Sequence, residues 1–145
     1  MLRIAVVVLV VMHIFAGIVA LLSFVAPKMM ISSTFEAITG KEIDSVQDAD
    51  LLEVMLNRQS KVGFYALSTV VFCLFVLLYG FRQAKKWAWW CLLVVAGIVW
   101  AEGLISYIIM GNVMYIIIYA IGMALLFLGV LLPIKAFFGT EVQEA

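Results

Sequence analysis

Residues 87–133 constrain the fold most, because they contain two long apolar runs joined by little more than Gly111-Asn112. Glu102 is the only charged residue within them. The hydrocarbon core of a bilayer is about 30 Å thick, and a helix of about 20 apolar residues crosses it. Two such runs with so short a connection predict a helical hairpin that crosses a membrane twice.

The composition extends this prediction to the whole chain. Of its 145 residues, 67% are hydrophobic and only 12% are charged, whereas a soluble domain has about 45–50% apolar and about 25% charged residues. The apolar runs are continuous, without the alternation of apolar and polar residues that marks a transmembrane β-barrel. We therefore expect an all-α polytopic membrane four-helix bundle. The formal net charge is zero and there is no basic block, so we expect no nucleic-acid partner.

Four apolar runs make up a single transmembrane domain, residues 1–145. The first run could be mistaken for a signal peptide, but it exceeds the apolar core of about 7–15 residues that signal peptides have. We therefore expect it to be a membrane span. The predicted spans are about 4–26, 62–81, 87–110 and 113–132.

One long polar stretch, residues 27–60, separates the first two spans and is predicted to be an outer loop. Ser33–Glu36 fits a capping box and Gly40 fits a helix stop, so a short helical turn is expected here. Asp50–Glu53 fits a second capping box. We expect the helix that starts there to continue without a break into span two.

The orientation follows from the basic residues between spans two and three. Arg82, Lys85 and Lys86 lie on a very short loop, and such loops face the cytoplasm in most membrane proteins. Both termini are then cytoplasmic, and residues 27–60 face outward. This predicts a multi-pass protein of the cell membrane.

Glu102 is the first candidate for a functional residue. A charged residue near the centre of a membrane helix costs about 2.5–3.5 kcal/mol on insertion scales. Ser106 lies one turn away on the same helix face, and Arg58 is the most plausible cationic partner. Glu102 either locks helices together, neutral or paired, or it binds a proton or a ligand.

His13 is the second candidate, near the middle of span one. Ala16, Gly17 and Ala20 share its face, and small residues allow close approach of a neighbouring helix. We therefore expect His13 to point into the bundle, where it makes an interhelical hydrogen bond or reaches Glu102 through water. One His and one Glu are too few for a metal site, and none is predicted.

Aromatic residues form two stripes at helical spacing. Span two carries Tyr65, Phe72 and Tyr79, and span four carries Tyr115 and Tyr119. Such stripes either form the bundle core or line a pocket for a flat hydrophobic molecule, such as a quinone, a sterol or a lipid tail.

The segment Leu56–Gly80 and the following AKKWAWW resemble small four-span membrane proteins of the DoxX-like type. The resemblance is carried by Arg58 just before span two and by the Gly and aromatic cluster after it. It implies an accessory membrane protein and transfers no catalytic residue. Small multidrug transporters also have four spans and a membrane Glu. However, their Glu lies in the first span and their loops are short.

The chain contains no P-loop, GxSxG, HExxH or CxxCH motif, so no catalytic residue and no cofactor are predicted. The first hypothesis is a non-catalytic accessory or scaffold subunit of a larger membrane complex, in contact with lipids and with other subunits or copies of itself. The alternative is a small oligomeric transporter or a binding protein for a lipid or quinone that uses Glu102. A third hypothesis is a membrane enzyme with His13 and Glu102 as acid and base. The candidate ligand-binding or proton-binding residues are Glu102, His13, Arg58, Ser106, Tyr115 and Tyr119.

Overall fold

Helices account for most of residues 1–139, which are the residues that the computed structural model describes. No β-strand occurs within them, and four of the helices are long and apolar enough to cross a membrane. The all-α fold and the four predicted spans are thus confirmed. The α-helices are α1 (Leu2–Val25), α2 (Pro27–Thr39), α3 (Ala49–Tyr79), α4 (Lys86–Met110), α5 (Val113–Leu131) and α6 (Ile134–Phe138), and 3₁₀ turns occupy Ile43–Ser45 and Phe81–Gln83.

Residues 27–60 are far more helical than the predicted loop. Helix α2 starts at Pro27, whose fixed φ suits the first turn of a helix. The expected start at Ser33 was wrong, because that residue lies inside α2. Gly40 does end the helix, as predicted, with a left-handed φ of 68° that glycine adopts without strain.

Helix α3 begins two residues earlier than the capping pattern suggested. Asp48, rather than Asp50, is the N-cap, and its side chain accepts a hydrogen bond from the Leu51 amide at 3.0 Å. Asp50 lies in the first turn, where a negative charge interacts favourably with the helix dipole. Only Asp50 has a glutamate three residues later, so the capping-box spacing selected the wrong aspartate, although aspartate at either position is a preferred N-cap residue. The prediction of one unbroken helix into span two is confirmed.

Each long helix packs on two others, so that α1 contacts α3 and α5, and α4 contacts α5 and α3. The backbones of α1 and α3 approach each other closely at Gly63, where a Cβ atom would lie 2.5 Å from the Phe24 backbone nitrogen. The Ser60 hydroxyl also donates to the Phe24 carbonyl at 2.8 Å. On the other side, Gly103 and Gly122 admit the rings of Tyr119 and Trp100.

The two ends of this bundle are packed differently. We call the end that contains the start of α1, the Phe81–Gln83 turn and the end of α5 the packed half. Its core residues interdigitate, and Trp89 donates through Nε1 to the Val130 carbonyl at 2.9 Å. Its fully buried large side chains include Leu9, Leu77, Phe81, Leu92 and Leu126. We call the end beneath α2, with the Gly111-Asn112 turn, the open half.

Large apolar side chains cover the outside of the bundle. Val7, Val71, Ile98 and Ile117, one from each long helix, are all more than half exposed. A soluble monomer rarely exposes such continuous apolar surface, whereas lipid tails solvate it. The chain is an integral membrane protein.

Candidate functional site

A cavity of about 260 Å³ lies between the four long helices in the open half. Ala16, Ala66 and Ala96 line it on three of the facing helices, and their short side chains leave the space between the helices unfilled. The lining contains no Asp, Glu, Lys or Arg. Pockets for drug-sized ligands measure about 300–1,000 Å³, so this cavity suits a smaller molecule or the ring or chain of a larger one.

His13 forms part of the wall near the packed half. Its side chain is only 3% exposed, and Nδ1 lies 2.7 Å from the Leu9 carbonyl oxygen one turn earlier. Cys73 and Ala96 border the cavity at a similar depth and also belong to the core of the packed half. The prediction that His13 points into the bundle is therefore confirmed. Its observed bond stays within its own helix rather than crossing to another.

The opposite wall is aromatic and comes from α4 and α5. The rings of Tyr107 and Tyr115 stack at 4.6 Å with 14° between their planes. Tyr119 packs 5.2 Å from Tyr107 and 5.4 Å from Trp100. These four side chains border the cavity with flat faces and two kinds of polar edge, phenol hydroxyls and an indole N–H.

Helix α2 covers the end of the cavity nearest the Gly111-Asn112 turn. Met30 contributes to the lining, and its carbonyl accepts a hydrogen bond from the Tyr115 hydroxyl at 3.4 Å. Asn112 donates through Nδ2 to Thr34 Oγ1 at 3.5 Å and also caps α5. These long contacts tie α2 to the α4–α5 hairpin, so we call α2 the roof of the cavity.

The cavity also reaches the lipid-facing surface at its sides. Phe15, Val62, Val99 and Met114 line it, yet each is more than two-fifths exposed. In a membrane these side chains meet lipid on one side and the cavity on the other. A lipid-soluble molecule could therefore exchange with the cavity sideways, from within the bilayer.

The structure separates the predicted site residues into two groups. His13, Tyr115 and Tyr119 share the cavity. Glu102 is exposed on the outside of α4, and Ser106 donates to Glu102 Oε1 at 2.8 Å, as expected for two residues on one helix face.

Arg58 is also exposed, in the part of α3 that precedes the predicted span two. Arg58 was considered both as a partner of Glu102 and as a solvated or headgroup-bound residue. The ion pair found within residues 1–139 joins Lys28 to Asp44, so the pair with Glu102 is not formed. No group of three or more His, Cys, Asp or Glu residues in that range is placed to hold a metal ion.

The two aromatic stripes face different surroundings. Tyr65, Phe72 and Tyr79 of span two face outward, with about half or more of each side chain exposed. The stripe of span four, Tyr115 and Tyr119, lines the cavity. Only neighbouring helices could decide which stripe faces inward, because both have the same spacing.

Sequence reasoning missed Trp100 and Tyr107 of α4, which complete the aromatic wall. A signal was present, since Trp100, Gly103 and Tyr107 have the i, i+3, i+7 spacing of a single helix face. Comparison with models of known families, with curated proteins and with solved structures finds no match to this chain.

Proposed function

We propose that this protein binds a small lipid-soluble molecule in the cavity of the open half. The observation that carries the proposal is the cavity itself, which is uncharged, flanked by an aromatic wall and open sideways to the lipid phase. The function is thus the hydrophobic-ligand alternative of the sequence analysis, with the site moved from Glu102 to His13 and the tyrosines.

The lining restricts the chemistry of the ligand. A charged headgroup inside the cavity would lose its hydration without meeting an opposite charge, at a high free-energy cost. Flat aromatic faces suit a ring system or an acyl or isoprenoid chain. An uncharged amphiphile with a compact ring or a single chain meets both conditions.

The positive-inside rule places the cavity in the outer leaflet. Arg82, Lys85 and Lys86 lie at the packed end of the bundle, which then faces the cytoplasm of a cell membrane. The open half and α2 face outward, so the ligand would enter from the outer leaflet.

The geometry favours binding over acid–base catalysis by His13 and Glu102. His13 lines the cavity, whereas Glu102 lies on the exposed side of α4. A shared substrate would have to contact two different surfaces of the protein at once. We therefore propose a binding protein rather than an enzyme that uses this pair.

Filling the cavity tests the proposal. Ala66→Phe places a ring in the cavity, whereas Val71→Phe on the same helix places it against lipid, where Val71 is 60% exposed. Each protein is purified in mild detergent, and native mass spectrometry and solvent extraction identify its bound small molecules. We expect wild type and Val71→Phe to retain one lipid-soluble molecule per chain and Ala66→Phe to lose it. Equal retention by all three proteins would contradict the proposal.

A second candidate function is that of an accessory subunit, and the exposure of Glu102 favours it. Apart from Ser106, the carboxylate faces outward at a depth where lipid offers no hydrogen bonds. A transmembrane helix of another subunit that carries a donor or a cation would satisfy it. Stoichiometric foreign subunits in the same native mass spectra, lost in Glu102→Leu but not in Ala66→Phe, would support this role.

A further inference from the structure

His13 has a nitrogen atom that the fold does not use. Within residues 1–139 its hydrogen bond is made through Nδ1. No buried side-chain nitrogen or oxygen in that range is sealed without a partner, so Nε2 keeps some accessible surface, and the space that His13 lines is the cavity. His13, which is only 3% exposed, thus presents one unpartnered polar atom to the cavity.

The bond to Leu9 determines what Nε2 can do. A carbonyl oxygen only accepts hydrogen bonds, so Nδ1 must carry the hydrogen. No carboxylate lines the cavity to balance an imidazolium charge, so the ring is neutral. In neutral imidazole with hydrogen on Nδ1, Nε2 carries a lone pair and only accepts.

The other polar groups of the cavity are less restrictive. The hydroxyls of Ser23 and Tyr119 can each donate or accept, so they suit a ligand oxygen of either kind. Thr69 already donates to the Tyr65 carbonyl at 3.0 Å. The Gln59 amide can also do both, and the Trp100 indole N–H only donates. Among these side chains, His13 Nε2 is therefore the group that requires a donor from the ligand.

We propose that the ligand is an uncharged lipid-soluble alcohol or phenol, whose hydroxyl donates a hydrogen bond to His13 Nε2. This inference rests on the proposed function and adds the chemical class of the ligand. A ketone, an ether or a plain hydrocarbon of the same shape would leave Nε2 without a donor. A buried acceptor left unpaired lowers affinity, so the site selects for the hydroxyl.

A pair of probes that differ in whether the oxygen carries a hydrogen or a methyl group tests this. 1-Naphthol and 1-methoxynaphthalene have the same rings, but only the first can donate a hydrogen bond. Their affinities are measured by titration calorimetry on the full chain in lipid nanodiscs, and the signal of empty nanodiscs is subtracted. We expect 1-naphthol to bind about fivefold to tenfold more tightly, which is the factor that one buried hydrogen bond contributes.

Two substitutions at His13 separate the roles of its nitrogens. His13→Asn keeps an amide donor near the Nδ1 position for the Leu9 carbonyl but has no atom at the Nε2 position. His13→Gln extends its amide oxygen towards the Nε2 position and can still accept. We expect the preference for 1-naphthol to fall to about onefold in His13→Asn and to persist in part in His13→Gln. We expect 1-methoxynaphthalene to bind His13→Asn at least as tightly as the wild type, because that variant has no acceptor for the ligand to leave unpaired.

The outcomes distinguish this inference from the proposed function. Equal binding of both probes to the wild type, or a full preference in His13→Asn, would overturn the hydroxyl requirement and leave the cavity as a binding site. Failure of both probes to bind wild type, together with the absence of any copurified molecule, would overturn the proposed function itself.

Discussion

The packed half and the open half are built from the same four helices, yet one is filled and the other is hollow. In the packed half, Leu9, Leu77 and Phe81 are completely buried. In the open half, the alanines of α1 and α3 face the aromatic wall across a cavity. Most of the side chains that form the core of one half and line the cavity of the other are apolar or aromatic. Side-chain size at the facing positions, rather than hydrophobicity, therefore decides where this bundle can hold a ligand.

The largest effect we expect comes from removing volume in the packed half. Leu77 is 0% exposed and its neighbour Leu78 is 46% exposed, so the two provide a matched pair on one helix. Leu77→Ala should lower the free energy of unfolding by about 2–5 kcal/mol, because the cavity it creates cannot collapse in a close-packed core. Leu78 faces lipid, so Leu78→Ala should lower the free energy of unfolding far less. Thermal unfolding in detergent measures both, and equal effects would mean that the packed half is not better packed than the lipid-facing surface.

A smaller effect is expected from adding one methyl group where α1 meets α3. At Gly63 a Cβ atom would meet the backbone of Ser23 and Phe24 at 2.5–2.7 Å, whereas at Gly97 it would have no neighbour within 4 Å. Gly63→Ala should destabilise by about 1–3 kcal/mol because the helices must separate. Gly97→Ala should be neutral or stabilise by up to about 1 kcal/mol, through helix propensity. If Gly63→Ala were as stable to unfolding as Gly97→Ala, the α1–α3 contact would be looser than described.

The smallest stability effect concerns the roof. Asn112→Ala removes the cap of α5 and the contact to Thr34, whereas Asp48→Ala removes the cap of α3, away from the cavity. Each substitution should lower the free energy of unfolding by about 1 kcal/mol, the usual contribution of a cap. Only Asn112→Ala should speed dissociation of 1-naphthol, because only that change loosens α2 over the cavity. Stopped-flow measurements compare the two, and identical dissociation rates would mean that the roof does not limit exchange.

The four spans and the all-α fold were predictable because they depend on local properties. Apolar runs of spanning length form helices in a bilayer whatever they pack against, since each backbone group must be hydrogen-bonded within the segment. The end of α2 at Gly40 is equally local, because a left-handed φ favours glycine.

The starts of α2 and α3 were harder to predict. Each stretch contains a capping box, yet α2 starts before its box, at Pro27, and Asp48 rather than Asp50 caps α3. Burial of His13 could be inferred from the small residues on its face. Its bond to the Leu9 carbonyl and its open Nε2 could not, because helical spacing does not specify a side-chain rotamer.

The amino-acid sequence by itself determined that the chain crosses a membrane four times and which residues are polar within the spans. The tertiary structure decided which of those residues meet. His13, Tyr115 and Tyr119 border one cavity, whereas Glu102 faces outward. The physical reason is that each apolar span has several faces of similar hydrophobicity, so hydropathy does not orient it. Contacts between large and small side chains on neighbouring helices set its rotation about its axis, and with it the position of the site.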